Sequence, residues 1–442
     1  MLSVLNVGDG ACSVIADNEG EHLVLDCGSW RSGGALQAQI LAYSLGRRLS
    51  KVTTLVVSHF DADHWKGLRA LPTVAQRAHL PKQIAIRYPG LSRVGRETTA
   101  AFMALRMVDD GVSLRAQDLI GAWRPVAEVD AQPMFAGEQL ELGDQTFDVV
   151  WPPRILPDSW SRAARRTLEE LSALAEDLPE LKRALNEAYE DAWSGAVGDE
   201  TTDGPTGGGP NQVFEEPFEH EGHDGYLGGL NEAQRARVEG DVAWDLAANG
   251  VWGEAPLPEW PHGSELPEHN AKGGMDRIDL DGQANGLASD YMAPEFSVDE
   301  ESIPEPRSGL GQTGHTELFG PGSAFTEHRD RLRDLARRLG VLNNHLSLVL
   351  IHQEAGFVAL GDVKGWSLQH VSGQLRKIGP MYSLALAPHH GTVRMPSDFP
   401  HVCMCVLQCG PSHALRSDRH VNSHQCEAFF ATEVSGNLYR CL

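Results

Sequence analysis

The sequence predicts an α/β fold, and three observations carry that reading. Short aliphatic runs, among them Leu23-Val24-Leu25, Leu55-Val56-Val57 and Leu348-Val349-Leu350-Ile351, have the length and composition of buried strands. Segments with apolar residues at helical spacing alternate with them, as at 35 to 48, where Leu36, Ile40, Leu41 and Leu45 share one face. The alternation breaks near residue 154 and resumes near 326, which suits either more than one domain or one domain with a large insertion.

At 442 residues the chain is no minimal module. Its 61 acidic against 37 basic residues, a formal charge of -24, argue against a protein that coats nucleic acid non-specifically. A local basic patch stays compatible with that charge. No stretch approaches the roughly 18 to 20 apolar residues that span a bilayer. The first ten residues lack the basic start and apolar core of a secretory signal. A cytoplasmic location without membrane contact is therefore expected. Of seven cysteines, Cys403, Cys405, Cys409, Cys426 and Cys441 crowd the C-terminus. Cys403-x-Cys405 has strand alternation and no matching Cys-x-x-Cys, so buried free thiols rather than zinc are expected there.

The strand Leu55 to Val57 runs into Ser58-His59-Phe60-Asp61-Ala62-Asp63-His64. So many ionisable groups at the end of an apolar strand destabilise it unless a cation offsets their repulsion. His59, Asp61 and Asp63 alternate out of the strand end and His64 comes from the next element. Nitrogen and oxygen ligands for a hard or borderline divalent cation thus meet in one loop, with no thiolate. The same letters also suit a helix N-cap, which uses only one such side chain.

His59-x-Asp61-x-Asp63-His64 resembles the signature loop of the metallo-β-lactamase fold, in the variant where aspartate replaces the second histidine. With Gly67-Leu68 behind it, the loop looks like that of the C-terminal hydrolase domain of ComEC-type competence proteins and their soluble relatives. The resemblance implies an αββα sandwich, two mixed sheets back to back with helices outside and the site along one edge. It divides the chain into a first half at 1–153, an insertion at 154–325 and a second half at 326–442.

In chain order, Met1 to Ile15 reads as two strands joined through Gly8-Asp9-Gly10, and Leu23 to Leu25 as a third, closed by Asp26-Cys27-Gly28. This opening is similar to the family's, in which the residue at Asp26 braces the metal loop by hydrogen bonds. A turn aspartate closing a strand predicts nearly the same surroundings. After the metal loop a short helix is expected from Asp63, stopped at Pro72, its N-terminus favouring an anionic substrate. A strand at 83–88, helices around 97–108 and 114–122, and a hairpin about Gly143-Asp144 follow, ended by Trp151-Pro152-Pro153. No further metal-binding histidine is assigned in this half, His79 reading as a loop residue.

Residues 160 to 194 are charged and helical, interrupted at Pro179. From 195 to 325 the chain is rich in Gly, Pro, Asp and Glu, a composition that buries too little apolar surface to offset chain entropy, so loop is expected. Its Trp244, Trp252 and Trp260 suit docking onto the core or onto a protein partner. His220, His223 and Asp224 read as solvated loop residues.

Regular structure returns as a basic helix from Thr326 to Leu339, capped at Gly340. Its Arg329, Arg331, Arg333, Arg337 and Arg338 suit a solvated face, a cover for the acidic insertion or a phosphate contact. Asn344-x-x-Ser347 opens the next strand, and Phe357 to Leu360 leads into Gly361-Asp362, both resembling family features. Leu384 to Ala387 stops at Pro388-His389-His390-Gly391-Thr392, similar to the family's Pro-His-His-Gly-Ser. Val402 to Leu407 and 426 to 442 supply strands and a helix that finish the second half, with His413, His420 and His424 in a loop.

The resemblance implies two divalent metal ions, Zn²⁺ or Mn²⁺, bridged by Asp362. His59 and Asp61 would serve one ion, and Asp63, His64 and one of His389 and His390 the other, the remaining histidine touching substrate or donating a proton. Asp63, His64, Asp362 and His390 would then be catalytic. Lacking a third histidine, the first ion is weakly held or completed by the insertion. A phosphodiesterase or nuclease follows, using a metal-activated hydroxide on a nucleotide, oligonucleotide or nucleic-acid end, with Lys66, Arg69, Lys364 and Arg394 near enough to bind phosphate. One alternative is hydrolysis of a carboxylic ester, lactone or thioester; another is an interaction protein acting through the insertion at 195–325.

Overall fold

The computed structural model describes residues 1–29, 34–110, 116–194, 324–410 and 426–441, together with Ala236 and Glu239. Two seven-stranded sheets form the centre. The first contains β1 (Leu2–Val4), β2 (Cys12–Ala16), β3 (His22–Cys27), β4 (Val52–Val56), β5 (Gln83–Pro89) and β6 (Glu128–Met134) in chain order, with β14 (Leu438–Arg440) added beside β1. The second runs from β7 (Gln139–Leu142) through β8 (Gln145–Trp151), β9 (Val349–His352), β10 (Phe357–Ala359), β11 (Met381–Leu386) and β12 (His401–Leu407) to β13 (Cys426–Ala431). Both sheets repeat one plan. An antiparallel meander passes into parallel strands, at β3 to β6 in one sheet and β10 to β13 in the other.

The layers follow from alternation along the strands. Leu55 and Val57 face outward helices while Val56 between them faces the other sheet. Leu2, Ile15, Leu23 and Leu25 of the first sheet meet Phe147, Leu350, Phe357 and Leu386 of the second in an apolar layer. Outside the first sheet lie α1 (Ala35–Leu45), α2 (Ala62–Val74) and α4 (Ala116–Trp123), contributing Leu41, Trp65, Leu68 and Trp123. Outside the second lie α3 (Arg93–Asp110), α5 (Asp158–Ala175), α6 (Pro179–Ser194), α7 (Ala324–Asn344) and α8 (Gly365–Ile378). The result is an αββα sandwich. Among the described residues, no helix is long and apolar enough to cross a membrane.

Several elements depart from the sequence reading, each for a physical reason. Helix α2 runs through Pro72 to Val74 instead of stopping there. Proline removes the N–H that would bond the Leu68 carbonyl, and the Trp123 indole N–H donates to that oxygen instead at 3.0 Å. Helix α7 likewise passes Gly340, because Val341 and Leu342 beyond it are buried, and a Cβ at 340 would press on the Phe102 ring at 3.3 Å. Helices α5 and α6 bury Trp160, Leu168, Leu171 and Leu185 in the same core as β9 and β10, so residues 158–194 belong to the outer layer of the sandwich.

Two elements went unread. The edge strand β6 alternates only weakly, with Val129 and Ala131 half-buried and Pro133 and the polar positions exposed, and α8 follows the Asp362 turn. The tail does not stay in the second sheet: β14 pairs with the buried β1 and covers what would be its free edge. Cys405 of β12 and Cys426 of β13 are a disulfide with Cα atoms 6.0 Å apart, not free thiols. Cys12, Cys27, Cys403 and Cys441 are free thiols.

Candidate metal centre

The centre lies at the carboxyl ends of β3, β4, β10, β11 and β12, where the parallel parts of the two sheets come together, the usual place for a site in such sheets. Beneath it the backbones touch. A Cβ at Gly10 would fall 2.1 Å from the Gly28 carbonyl oxygen, and one at Gly28 would fall 2.5 Å from the Asp63 carbonyl carbon. Only glycine lets the ends of β2 and β3 lie against the first turn of α2, and the Ala11 N–H then bonds the Asp63 carbonyl at 3.0 Å.

From the first sheet come His59, Asp63 and His64, all buried. Asp26, at the end of β3 with φ of 57°, accepts the Ser58 N–H at 2.7 Å through one carboxylate oxygen. Its other oxygen accepts Nδ1–H of His64 at 2.9 Å. That fixes the tautomer and turns His64 Nε2 inward, 3.4 Å from Asp362 Oδ1 and 3.8 Å from Asp63 Oδ1. The Ser58 hydroxyl lies 3.2 Å from His59 Nδ1, leaving His59 Nε2 facing Asp362 at 3.6 Å.

Asp61 behaves differently. Its extended backbone makes it the N-cap of α2, and its Oδ1 accepts the Ala62 N–H at 2.7 Å. Burial, then the neighbouring Asp63 charge, pushes its carboxyl up to about 8. It is absent from both groups of donors that converge in the centre.

From the second sheet, Asp362 follows β10 through Gly361, and its N–H is held by the Ser347 hydroxyl at 3.2 Å. It is the hub: His59 and His389 approach one carboxylate oxygen at 3.6 and 3.5 Å, His64 and His390 the other at 3.4 and 3.9 Å. His389 and His390 both take left-handed backbone, at φ of 49° and 58°, an arrangement that costs energy and is typical of functional turns. Their rings diverge. His390 is buried, donates Nδ1–H to the Gln408 carbonyl at 2.8 Å and presents Nε2 to Asp63 at 3.0 Å, whereas His389 is 32% exposed at the rim.

The electrostatics are those of interlocked opposite charges. Burial raises Asp362, but the four imidazoles around it hold it well below the usual carboxylate range. Burial lowers His64, yet Asp362, Asp26 and Asp63 outweigh it and lift the imidazole well above its usual value. His59 is pulled down to about 3 by burial and by the nearby His64. Despite this crowding, Nε2 of His59, Oδ1 of Asp63 and Nε2 of His64 are buried without a hydrogen bond. Buried polar atoms left this way call for a partner. His59, His64 and Asp362 offer donor atoms within 4.8 Å of one another, as do Asp63, His64 and His390. A divalent cation fits both sets.

Among cations expected at phosphate, Lys364 lies two positions beyond Asp362, Lys66 is buried, Arg394 is exposed, and Arg69 instead faces Asp118 at 3.8 Å. Ser58 and the Gln408 carbonyl were not anticipated. A backbone oxygen leaves no mark in sequence, and a serine beside a histidine is too common to signal anything. His220, His223, Asp224, His413, His420 and His424 lie outside the described residues, as do Trp244, Trp252 and Trp260.

The sequence model of the Metallo-beta-lactamase superfamily matches residues 5–105. No curated protein matches the chain. Among solved structures, the metallo-beta-lactamase fold protein YhfI from Bacillus subtilis is 12% identical over 34% of this chain and 52% of its own, with a TM-score of 0.21. MEM-A1, a subclass B3 metallo-beta-lactamase from a soil metagenome library, is 17% identical over 34% of this chain and 50% of its own, with a TM-score of 0.22. Zn²⁺-bound PqqB from Methylobacterium extorquens is 10% identical over 35% of this chain and 52% of its own, also at 0.22. The chain spans about half the length of these three structures. The matched segment contains Asp26, His59, Asp63 and His64, so residues 5–105 are similar to the metallo-β-lactamase superfamily, and the two-sheet αββα sandwich is the metallo-β-lactamase fold.

Proposed function

We propose that the chain is a metal-dependent phosphodiesterase or nuclease acting on a nucleotide, an oligonucleotide or a nucleic-acid end. The observation that carries this reading is the ring of buried donors about Asp362 in which His59, Asp63 and His64 each keep an inward atom without a hydrogen bond. His59, Asp63, His64, Asp362 and His390 would hold the metal, with His64 common to the two donor sets. Bound Zn²⁺ or Mn²⁺ supplies Lewis acidity, lowering the pKa of a water and neutralising charge on a tetrahedral phosphoryl centre. Two ions are proposed, as in the related fold.

The chain's own groups do the rest. Asp26 and the Gln408 carbonyl keep His64 and His390 in the tautomer whose Nε2 faces inward. His389, at the rim and 3.5 Å from Asp362, would contact substrate or give a proton to the departing oxygen. Lys364 supplies positive charge beside the same loop. The distribution of charge supports an anionic substrate: residues 195–323 hold 26 acidic and 5 basic residues, while the remainder holds 35 and 32. The acidity is thus a property of the insertion and not of the domain that carries the site. The aspartate at 61 and the Gly67-Leu68 pair favour a ComEC-type relationship, from which the phosphodiester substrate is inferred.

The test is metal content by mass spectrometry together with Mn²⁺- and Zn²⁺-dependent turnover of a bis-aryl phosphodiester, for wild type and Asp362→Asn. The expected result is bound metal and turnover in wild type, with both lost in the variant. Metal without phosphodiester turnover, but with cleavage of an aryl ester or lactone, would overturn the substrate class. Absence of metal would overturn the hydrolase reading itself.

A further inference from the structure

Away from the centre, a second group of metal-binding side chains gathers on the outer strands of the second sheet. His401 and Cys403 occupy alternate positions of β12 and so share one face. The parallel register sets Val402 opposite Cys426 and Met404 opposite Ala428, which puts Glu427 of β13 across from Cys403. The carboxylate of Glu427 reaches His401 Nε2 at 2.9 Å, and the nitrogen, sulfur and oxygen donors all lie within 4.8 Å of one another. Ligands of one tetrahedral Zn²⁺, at bonds of about 2.0 to 2.3 Å, are roughly 3.3 to 3.8 Å apart, so small side-chain rotations close the set.

A histidine and a glutamate need no thiol to form an ion pair. Cys403 has stayed free although Cys405 and Cys426 close by are joined as a disulfide. His401 and Glu427 are exposed and β13 is the edge strand, so ion and water have open access. We propose that His401, Cys403 and Glu427 form a separate site for a zinc-like divalent cation, which clips the edge strand β13 to β12. The mixed N, S and O donor set is softer than the Asp/His centre and selects Zn²⁺ or Co²⁺ over Mn²⁺. Water fills the remaining position.

The experiment is Co²⁺ titration of the full-length metal-depleted protein without added thiol, following the near-ultraviolet sulfur-to-cobalt charge-transfer band. The Asp/His centre contributes no sulfur and is silent in this signal. The expected result is a band in wild type and in Asp362→Asn, lost in Cys403→Ser, weakened in His401→Ala, with Cys403→Ser binding one equivalent less metal and keeping its hydrolytic activity. No band in wild type, or a band unchanged in Cys403→Ser, would overturn the proposal.

Discussion

The loop after β4 and the first turn of α2 deliver His59, Asp63 and His64 from one short stretch, whereas Asp362 and His390 arrive from the ends of two separate strands, β10 and β11. The first set comes from one stretch of chain, held by a helix N-cap at Asp61, by the Asp26 bridge to Ser58 and His64 from the neighbouring strand β3, and by two glycines beneath. The second set depends on parallel pairing of β10 with β11 and of β11 with β12, on the Ser347 hydroxyl and on a turn with two strained histidines. Half of the centre thus comes from one contiguous stretch and half from sheet register. Damage to the two halves should differ in kind.

The largest effect is expected at the strand-end half. His390→Ala removes a buried inward imidazole and should cost metal and turnover beyond the roughly 10–100-fold typical of residues that only orient a ligand. His389→Ala, at the rim, should keep metal content near wild type and lower turnover alone. Metal analysis beside steady-state kinetics separates the two, and equal metal loss in both would erase the distinction between inner and rim histidine. Next comes Asp26→Asn, which leaves every inward atom in place but frees His64 to rotate. Its expected cost is about 10–100-fold in metal affinity, read by competition with a chelating dye. No change would mean that the loop needs no brace. The smallest effect is expected at Asp61→Ala. As a helix cap it should cost about 1 kcal/mol of stability in a thermal melt with metal content unchanged. Loss of one metal equivalent would instead make Asp61 a ligand.

The same contrast explains what sequence could reveal. The first loop was visible because His59, Asp61, Asp63 and His64 stand together behind an apolar strand, and periodicity placed that strand. Asp362 and the His389-His390 pair were identified only through resemblance, since a Gly-Asp turn and a His pair are common in themselves. Which histidine turns inward is decided by the Gln408 carbonyl at the end of β12, a tertiary contact without any signature in the residues. The N-cap role of Asp61 was available from local pattern alone but competed there with a ligand role. Strand β6 and the pairing of β14 with β1 were hidden for another reason: edge strands carry few apolar residues, so burial, the source of the signal, is missing.

The glycine floor also bears on how the specificity of such a centre changes over evolutionary time. With Gly10 and Gly28 pressed against the backbone of Asp63, the rear wall has no side chains to exchange, and any replacement there displaces the metal loop itself. Diversification is left to the opposite side. A mutant library seeking a new substrate has its productive positions at the rim, around Lys364 and His389, and a dead zone at residues 10 and 28.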